Sequence, residues 1–309
     1  MSKMRVLTIE ELCLKPRETT IVWTDPLVQA QVEVRLPFRT LPPLRPLPAD
    51  VRTIIVVAGG TLIDETKAWR LQTAPALELI AIPSIWGSGA EASPIAVLNR
   101  CGNKEILKDP KLLPDARAVL PDLAASIPPD RAILGCGDCW AHALEGFLSP
   151  LADDNIRNEL AKLMHEMLEA PLTNDPVWFE LSTQACAWQA HSSVGLTHGI
   201  AHTLEGIMRA EFPGAEWGHA RLCSLLLWPV MRFNELTSTR WRDLSARHGL
   251  EIARIQSVVR SLFEESAYDQ ALSALKENWL TILRDPCTRT NSALVRPNSL
   301  GFFLSKAFL

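Results

Sequence analysis

A chain of 309 residues with 47% hydrophobic content is long enough for about two domains and apolar enough for a sizeable core. The formal net charge of -4 and the lack of any basic run argue against a nucleic-acid surface or a polybasic membrane anchor. No apolar run reaches the roughly 18 residues of a bilayer span, and MSKMRVLTIEEL has no apolar signal core, so the chain reads as cytoplasmic.

The first half alternates β-rich runs and turns. TTIVWTD (19–25) and QVEVRLPF (31–38) read as short strands, and RTIIVVAGG (52–60) as a fully buried parallel strand ending in glycines. Between the second and third runs, Pro42, Pro43, Pro46 and Pro48 forbid a helix and predict an extended connection. TLIDETKAWRL opens a helix, and LELIAIPSIWGSG (77–89) is a further strand running into a Gly/Ser loop, an α/β pattern. From about residue 130 the periodicity turns helical, in 155–170, 179–196, 220–233 and 252–265. The expected boundary near SIPPD (126–130) divides an α/β part, 1–128, from an all-helical part, 129–309.

Seven cysteines, at positions 13, 101, 136, 139, 186, 223 and 287, are odd in number and scattered, which disfavours a disulfide framework. Cys136 and Cys139 form a CxxC with no second copy to complete a four-thiolate site. They overlap a more informative pair, Asp138 and His142 in GCGDCWAHALEGF, whose i, i+4 spacing puts both side chains on one helix face. His198 and His202 in VGLTHGIAH repeat that spacing, and His219 follows a loop containing Pro213 and Gly214. One carboxylate and several imidazoles suit Fe(II), Zn(II) or Mn(II). A lone histidine on an apolar helix is usually a core residue, which is the reading for His165 and His248; for His191 a structural and a pocket role weigh equally.

Gly59 and Gly60 end a buried strand where a helix begins, a layout that lets backbone N–H groups meet a phosphate but that also serves purely structural turns. The loop Ser84–Gly89 offers a second strand-end cluster for the same ligand.

The order of these motifs resembles the iron-containing (group III) alcohol dehydrogenase family. The blocks that carry it are IVWTDPLV (21–28), AGGTLIDETK (58–67), AIPSIWGSGAEAS (81–93), KEILKDPKLLPDARAVL (104–120), SIPPDRAILGCGDCWAHALEGFLS (126–149), GLTHGIAH (195–202), WGHARLCSLLLWPVMRFN (217–234) and DPCTRTNS (285–292). The resemblance implies a Rossmann-like N-terminal domain, here shortened, followed by a helical metal-binding C-terminal domain. It implies Asp138, His142, His198 and His219 as ligands of Fe(II), or of Zn(II), and His202 as the histidine that relays the substrate proton. It places Gly59, Gly60 and Thr61, with Asp64 one turn on, at the pyrophosphate of NAD or NADP, and Ser84, Ser88 and Gly89 at the nicotinamide side. Asp25 falls where an acidic residue meets the adenosine ribose, and Lys104 matches a lysine common there. The implied activity is the interconversion of an alcohol and a carbonyl compound, with a small-molecule or peptide substrate and a homodimer as expected partners.

Three departures stand out. Only 33 residues separate Asp25 from Gly59, so at least one crossover helix is expected to be missing. Ala58 replaces the leading glycine of the family's GGG. RAEFPGAEW lengthens the approach to His219 and carries Glu211 and Glu216 which, with Glu205 before it, offer alternative ligands. Trp86, Trp140 and Trp217 read either as packing or as a reshaped pocket. Two rival readings stay open: a pathway-specific dehydrogenase oxidising a hydroxyl on a peptide natural product, and a cofactor-free scaffold that keeps only the metal domain. A metal-dependent lyase on the related dehydroquinate-synthase architecture is a weaker third.

Overall fold

A computed structural model describes residues 4–100, 103–213 and 216–309; Cys101 and Gly214 lie outside them. The chain divides into two compact units, 1–132 with 174–187, and 133–173 with 188–309.

The first unit is built on a six-stranded, all-parallel sheet. Its strands are β1 (Arg5–Val6), β2 (Thr20–Thr24), β3 (Arg39–Thr40), β4 (Thr53–Ala58), β5 (Glu78–Pro83) and, beyond a hairpin of β6 (Ile95–Arg100) and β7 (Asn103–Lys108), β8 (Ala116–Arg117). The order across the sheet is β1-β8-β5-β4-β2-β3. β2 and β4 are buried along their whole length, as expected of continuous β-branched runs in a sheet covered on both faces. Ile21, Trp23, Ile54, Val56, Leu79 and Ala81 form the core on one face with Ile63 of the helix that follows β4.

Helix α1 (Ile9–Cys13) carries a capping box between Thr8 and Glu11. The run QVEVRLPF is not a strand: Gln29–Arg35 is helix α2, and only Arg39 and Thr40 pair as β3. The alternation of Val32 and Val34 misleads, because Val34 is exposed while Val28, Val32 and Leu36, at spacings of four, are buried. The expected loss of a crossover helix is found between β3 and β4, where residues 41–52, including the four prolines, return to the sheet without one. Helix α3 (Gly60–Thr73) follows β4, and on its other side Ala68 packs against Ala96 and Leu98 of the hairpin.

The second unit is helical, with no strand among its described residues. It contains most of α4 (Pro129–Leu148), then α5 (Asp154–Glu169); α6 (Val177–Gln189) belongs mostly to the first unit. The predicted helical run 179–196 breaks after Gln189 and resumes as α7 (Leu196–Glu211). There follow α8 (His219–Thr237), α9 (Arg240–His248), α10 (Ile252–Ser261), α11 (Glu265–Ile282), α12 (Pro286–Arg289) and α13 (Leu300–Leu304). Helix α7 packs against α8, α11 and α12. No described helix is long and apolar enough to cross a membrane.

Candidate metal centre and nucleotide-binding edge

The i, i+4 pair Asp138 and His142 lies mid-way along α4, on a helix buried almost throughout. One residue earlier, Gly137 lets α8 come close: a Cβ there would meet Ser224 Oγ at 2.4 Å and Ser224 Cα at 2.9 Å. That contact brings the first turn of α8, with His219, beside Asp138. Helix α7 supplies His198, also on its first turn.

The result is a carboxylate oxygen ringed by imidazoles. Asp138 Oδ1 lies 3.8 Å from His142 Nε2, 3.7 Å from His198 Nε2 and 3.9 Å from His219 Nε2. Cys223, one turn after His219 on α8, brings its sulfur within 3.5 Å of His219 Nε2 and joins Asp138, His198 and His219 in one cluster of donor atoms. Asp138 and His198 are each 2% exposed, yet Asp138 Oδ1 and His198 Nε2 make no hydrogen bond among the described residues. Leaving such groups buried and unsatisfied costs about 1–3 kcal/mol each, more where a charge is involved. A divalent cation within the ring satisfies both at once, so the donor set fits a metal ion.

Electrostatics favour the same occupant. Burial pushes the Asp138 carboxyl above its usual range, and burial with the neighbouring His198 pulls His142 well below an ordinary histidine, leaving it neutral with a lone pair to give. Burial also opposes an imidazolium at His198, but the Glu145 carboxylate outweighs it and raises that histidine.

Glu145 has no role in the sequence reading, and it organises the site. It sits three residues after His142 on α4 and accepts the His198 Nδ1–H at 2.7 Å. Its two oxygens also accept the backbone N–H groups of Gly195 at 2.8 Å and Thr197 at 2.6 Å. The start of α7 has no side-chain cap of its own, so a carboxylate from α4 satisfies its orphan donors. One residue thereby fixes the helix end and the tautomer of the histidine on it, turning Nε2 toward Asp138. Its signal in the sequence was its position on the Asp138/His142 stripe, seven residues after the first.

His202, one turn beyond His198, stacks on His219 with ring centroids 5.4 Å apart. Its Nδ1 faces Asp285 Oδ2 at 3.6 Å, and Asp285, within the quoted DPCTRTNS, was assigned nothing. Of the alternative carboxylates, Glu205 is buried with an oxygen 3.9 Å from His219 Nδ1, whereas Glu211 and Glu216 are exposed. Trp86, Trp140 and Trp217 are all buried and read as packing; Trp86 Nε1 donates to Ala132 O at 2.9 Å.

In the first unit, the candidate nucleotide residues gather at the carboxyl ends of three neighbouring strands, β2, β4 and β5. Asp25 follows β2 and its N–H donates to Val57 O at 3.2 Å; Ser84 follows β5 and its N–H donates to Ala58 O at 2.9 Å. Between them Gly59, Gly60 and Thr61 form the start of α3, with Thr61 exposed. Gly60 is required by a close approach, since a Cβ there would sit 2.3 Å from Ser88 Oγ. Gly89 adopts a left-handed conformation and lies against Ser182 and Cys186 of α6, while Gly87 N donates to Ser182 Oγ at 2.9 Å. The methyl of Ala58 lies in the hydrophobic core with Ile63 and Ala90.

Asp64 does not face that edge. Its oxygens are taken by Lys67 Nζ at 2.7 Å and Val97 N at 2.9 Å, tying α3 to the hairpin that carries Lys104. Lys67 Nζ also donates to Ala90 O at 3.0 Å and to Ile95 O.

Residues 48–121 match the family model for iron-containing alcohol dehydrogenases. Over that stretch the chain is similar to that family. Among sequence relatives, it is 29% identical over 203 residues to maleylacetate reductase 2 of Cupriavidus pinatubonensis, covering 62% of this chain and 53% of that protein. It is 28% identical over 225 residues to the 1-propanol dehydrogenase PduQ of Salmonella typhimurium, covering 68% and 57%. The chain thus spans about half the length of the family relatives it matches. The family fold is present across the chain. The iron-containing alcohol dehydrogenase of Thermococcus thioreducens superposes with a TM-score of 0.75 over 99% of this chain and 98% of its own, at 19% identity. Maleylacetate reductase of Agrobacterium tumefaciens gives 0.78 over 99% and 96%, at 16% identity.

Proposed function

We propose that this chain is a metal-dependent, NAD(P)-linked oxidoreductase that interconverts an alcohol and a carbonyl compound. The observation that carries the reading is the ring of three imidazole nitrogens 3.7 to 3.9 Å from one buried carboxylate oxygen that has no hydrogen bond among the described residues. Asp138, His142, His198 and His219 hold a divalent ion, Fe(II) or Zn(II). When bound, the ion would supply Lewis acidity toward the substrate oxygen and NAD(P) would supply the hydride acceptor or donor.

The remaining work belongs to the chain's own groups. Glu145 holds the His198 ring so that Nε2 is the donor offered. His202 takes the hydroxyl proton in oxidation and returns it in reduction, with Asp285 beside its Nδ1 to stabilise the imidazolium. The free N–H groups of Gly60 and Thr61 at the start of α3 receive the pyrophosphate at the positive end of the helix. Asp25 receives the ribose hydroxyls, and Ser84, Ser88 and Gly89 line the nicotinamide side. Lys104 contributes positive charge from the hairpin, and Asp64 acts from beneath by holding α3 in place.

The test is metal analysis with nucleotide titration of the wild type and His198→Ala. The wild type is expected to hold one Fe(II) or Zn(II) in the Asp138 ring and to bind NAD(H) or NADP(H) saturably. Full metal content in His198→Ala would sink the ligand set, and a wild type that binds neither nucleotide would sink the dehydrogenase reading.

A further inference from the structure

A second group of donor atoms lies outside the Asp138 ring. His202 on α7 and Asp285 and Cys287 at the start of α12 bring an imidazole nitrogen, a carboxylate oxygen and a thiol sulfur within 4.8 Å of one another. His202 Nδ1 is 3.6 Å from Asp285 Oδ2 and 3.9 Å from Cys287 Sγ. The first is longer than a good hydrogen bond and the second is a long hydrogen bond to sulfur, so the three donor atoms face one another at loose spacings. The cluster is built from both sides. Asp285 spends Oδ1 on capping α12, accepting the Cys287 N–H at 2.7 Å, which turns Oδ2 toward His202. Gly199 allows α12 to approach α7 closely, since a Cβ there would sit 2.1 Å from Thr288 Oγ1.

We propose that His202, Asp285 and Cys287 form a second metal site, selective for a thiophilic divalent cation such as Zn(II), whose occupation regulates the enzyme. Tetrahedral zinc with ordinary bond lengths sets its nitrogen and sulfur ligands about 3.6 Å apart and its nitrogen and oxygen ligands about 3.3 Å apart, so contractions of roughly 0.3 Å bring both spacings from His202 Nδ1 to those of zinc ligands. A carboxylate and a thiolate together neutralise the ion, which makes a second dication tolerable near the first. Binding releases the Cys287 proton to solvent, and a water completes the fourth position. The ion takes His202 Nδ1 out of proton exchange, so turnover falls as the site fills; this consequence rests on the relay role proposed above for His202, whereas the site itself does not.

Equilibrium dialysis of the folded protein against Zn(II), and against Cd(II) for its thiolate absorption, separates the two claims. The wild type is expected to bind one more equivalent than Cys287→Ser or Asp285→Asn; the asparagine retains an oxygen to cap α12. The cadmium-thiolate band should vanish in Cys287→Ser and persist in Cys223→Ser, which removes the sulfur of the first cluster. Equal stoichiometry in the wild type and both site variants overturns the site, leaving a plain His–Asp pair. A second equivalent that binds without slowing the wild type, relative to Cys287→Ser with the same added zinc, overturns the regulation alone. Loss of metal from His198→Ala with the Cys287-dependent equivalent intact isolates any failure of the first site from the second.

Discussion

Glu145 shows how much one side chain can settle. Its carboxylate is buried, and burial alone would push it up, but the His198 ring and the hydrogen bonds from Gly195 and Thr197 outweigh that and hold it below the usual carboxylate range. Glu145→Gln keeps the shape but offers one acceptor oxygen in place of two and a poorer partner for Nδ1–H. The expected outcome is a loss of metal affinity of about 10- to 100-fold, measured by competition with a chromophoric chelator. Glu145→Ala should in addition fray the start of α7, visible as faster amide hydrogen exchange at residues 195–199. Glu78 in the first unit is a second residue with a legible charge effect. Burial opposes its ionisation, but Lys15 at 2.7 Å, Arg5 at 2.6 Å and Thr53 at 2.9 Å win and lower its pKa. A carboxylate lowered on folding contributes stability above its unfolded pKa and loses it as pH falls through the folded value. Glu78→Gln is therefore expected to cost about 1 kcal/mol at neutral pH, a partly exposed group being discounted for screening, with the gap to wild type closing below about pH 4. Denaturant titration across that range measures it.

At the scale of elements, the union of α3 with the β6–β7 hairpin depends on a buried ion pair. Lys67 has no exposed surface and Asp64 almost none. Burial pushes Asp64 up despite Lys67. Lys67→Met leaves that carboxyl and the Ala90 carbonyl without their partner, and is expected to destabilise the first unit by about 3 kcal/mol. The double change Asp64→Asn with Lys67→Met should recover part of the loss, and chemical denaturation of the set checks it. This pairing was not readable from spacing alone. Asp64 one turn into α3 looks like a ligand-facing residue at a nucleotide turn, and only the hairpin packed on that side of the helix decides that it faces inward. The hairpin itself was not read from the sequence, where its second strand stands only inside the block KEILKDPKLLPDARAVL. The long apolar runs were legible: β4 hides six consecutive side chains and β5 five, as strands of a covered parallel sheet do. QVEVRLPF was not, since seven residues are too few for the two periodicities to separate.

On the scale of the whole molecule, a metal that binds only the folded second unit ties stability to metal content. An ion held at about 100 times its Kd stabilises by about 2.7 kcal/mol. Adding a chelator is expected to lower the calorimetric unfolding temperature of the wild type by more than that of His198→Ala, which lacks the ion of the Asp138 ring. The sequence by itself determined the parallel α/β run, the helical second part, the missing crossover helix and the spacing of Asp138, His142, His198, His202 and His219. Those are local properties, set by apolar periodicity, prolines and residues one helical turn apart. Tertiary structure alone decided that three imidazoles meet one oxygen, that Glu145 caps a helix from another helix, and that Asp285 and Cys287 reach His202 across more than 80 residues. A helix fixes which face a side chain leaves from, whereas the partner it meets depends on which helices can approach, and small residues such as Gly137 and Gly199 grant that approach.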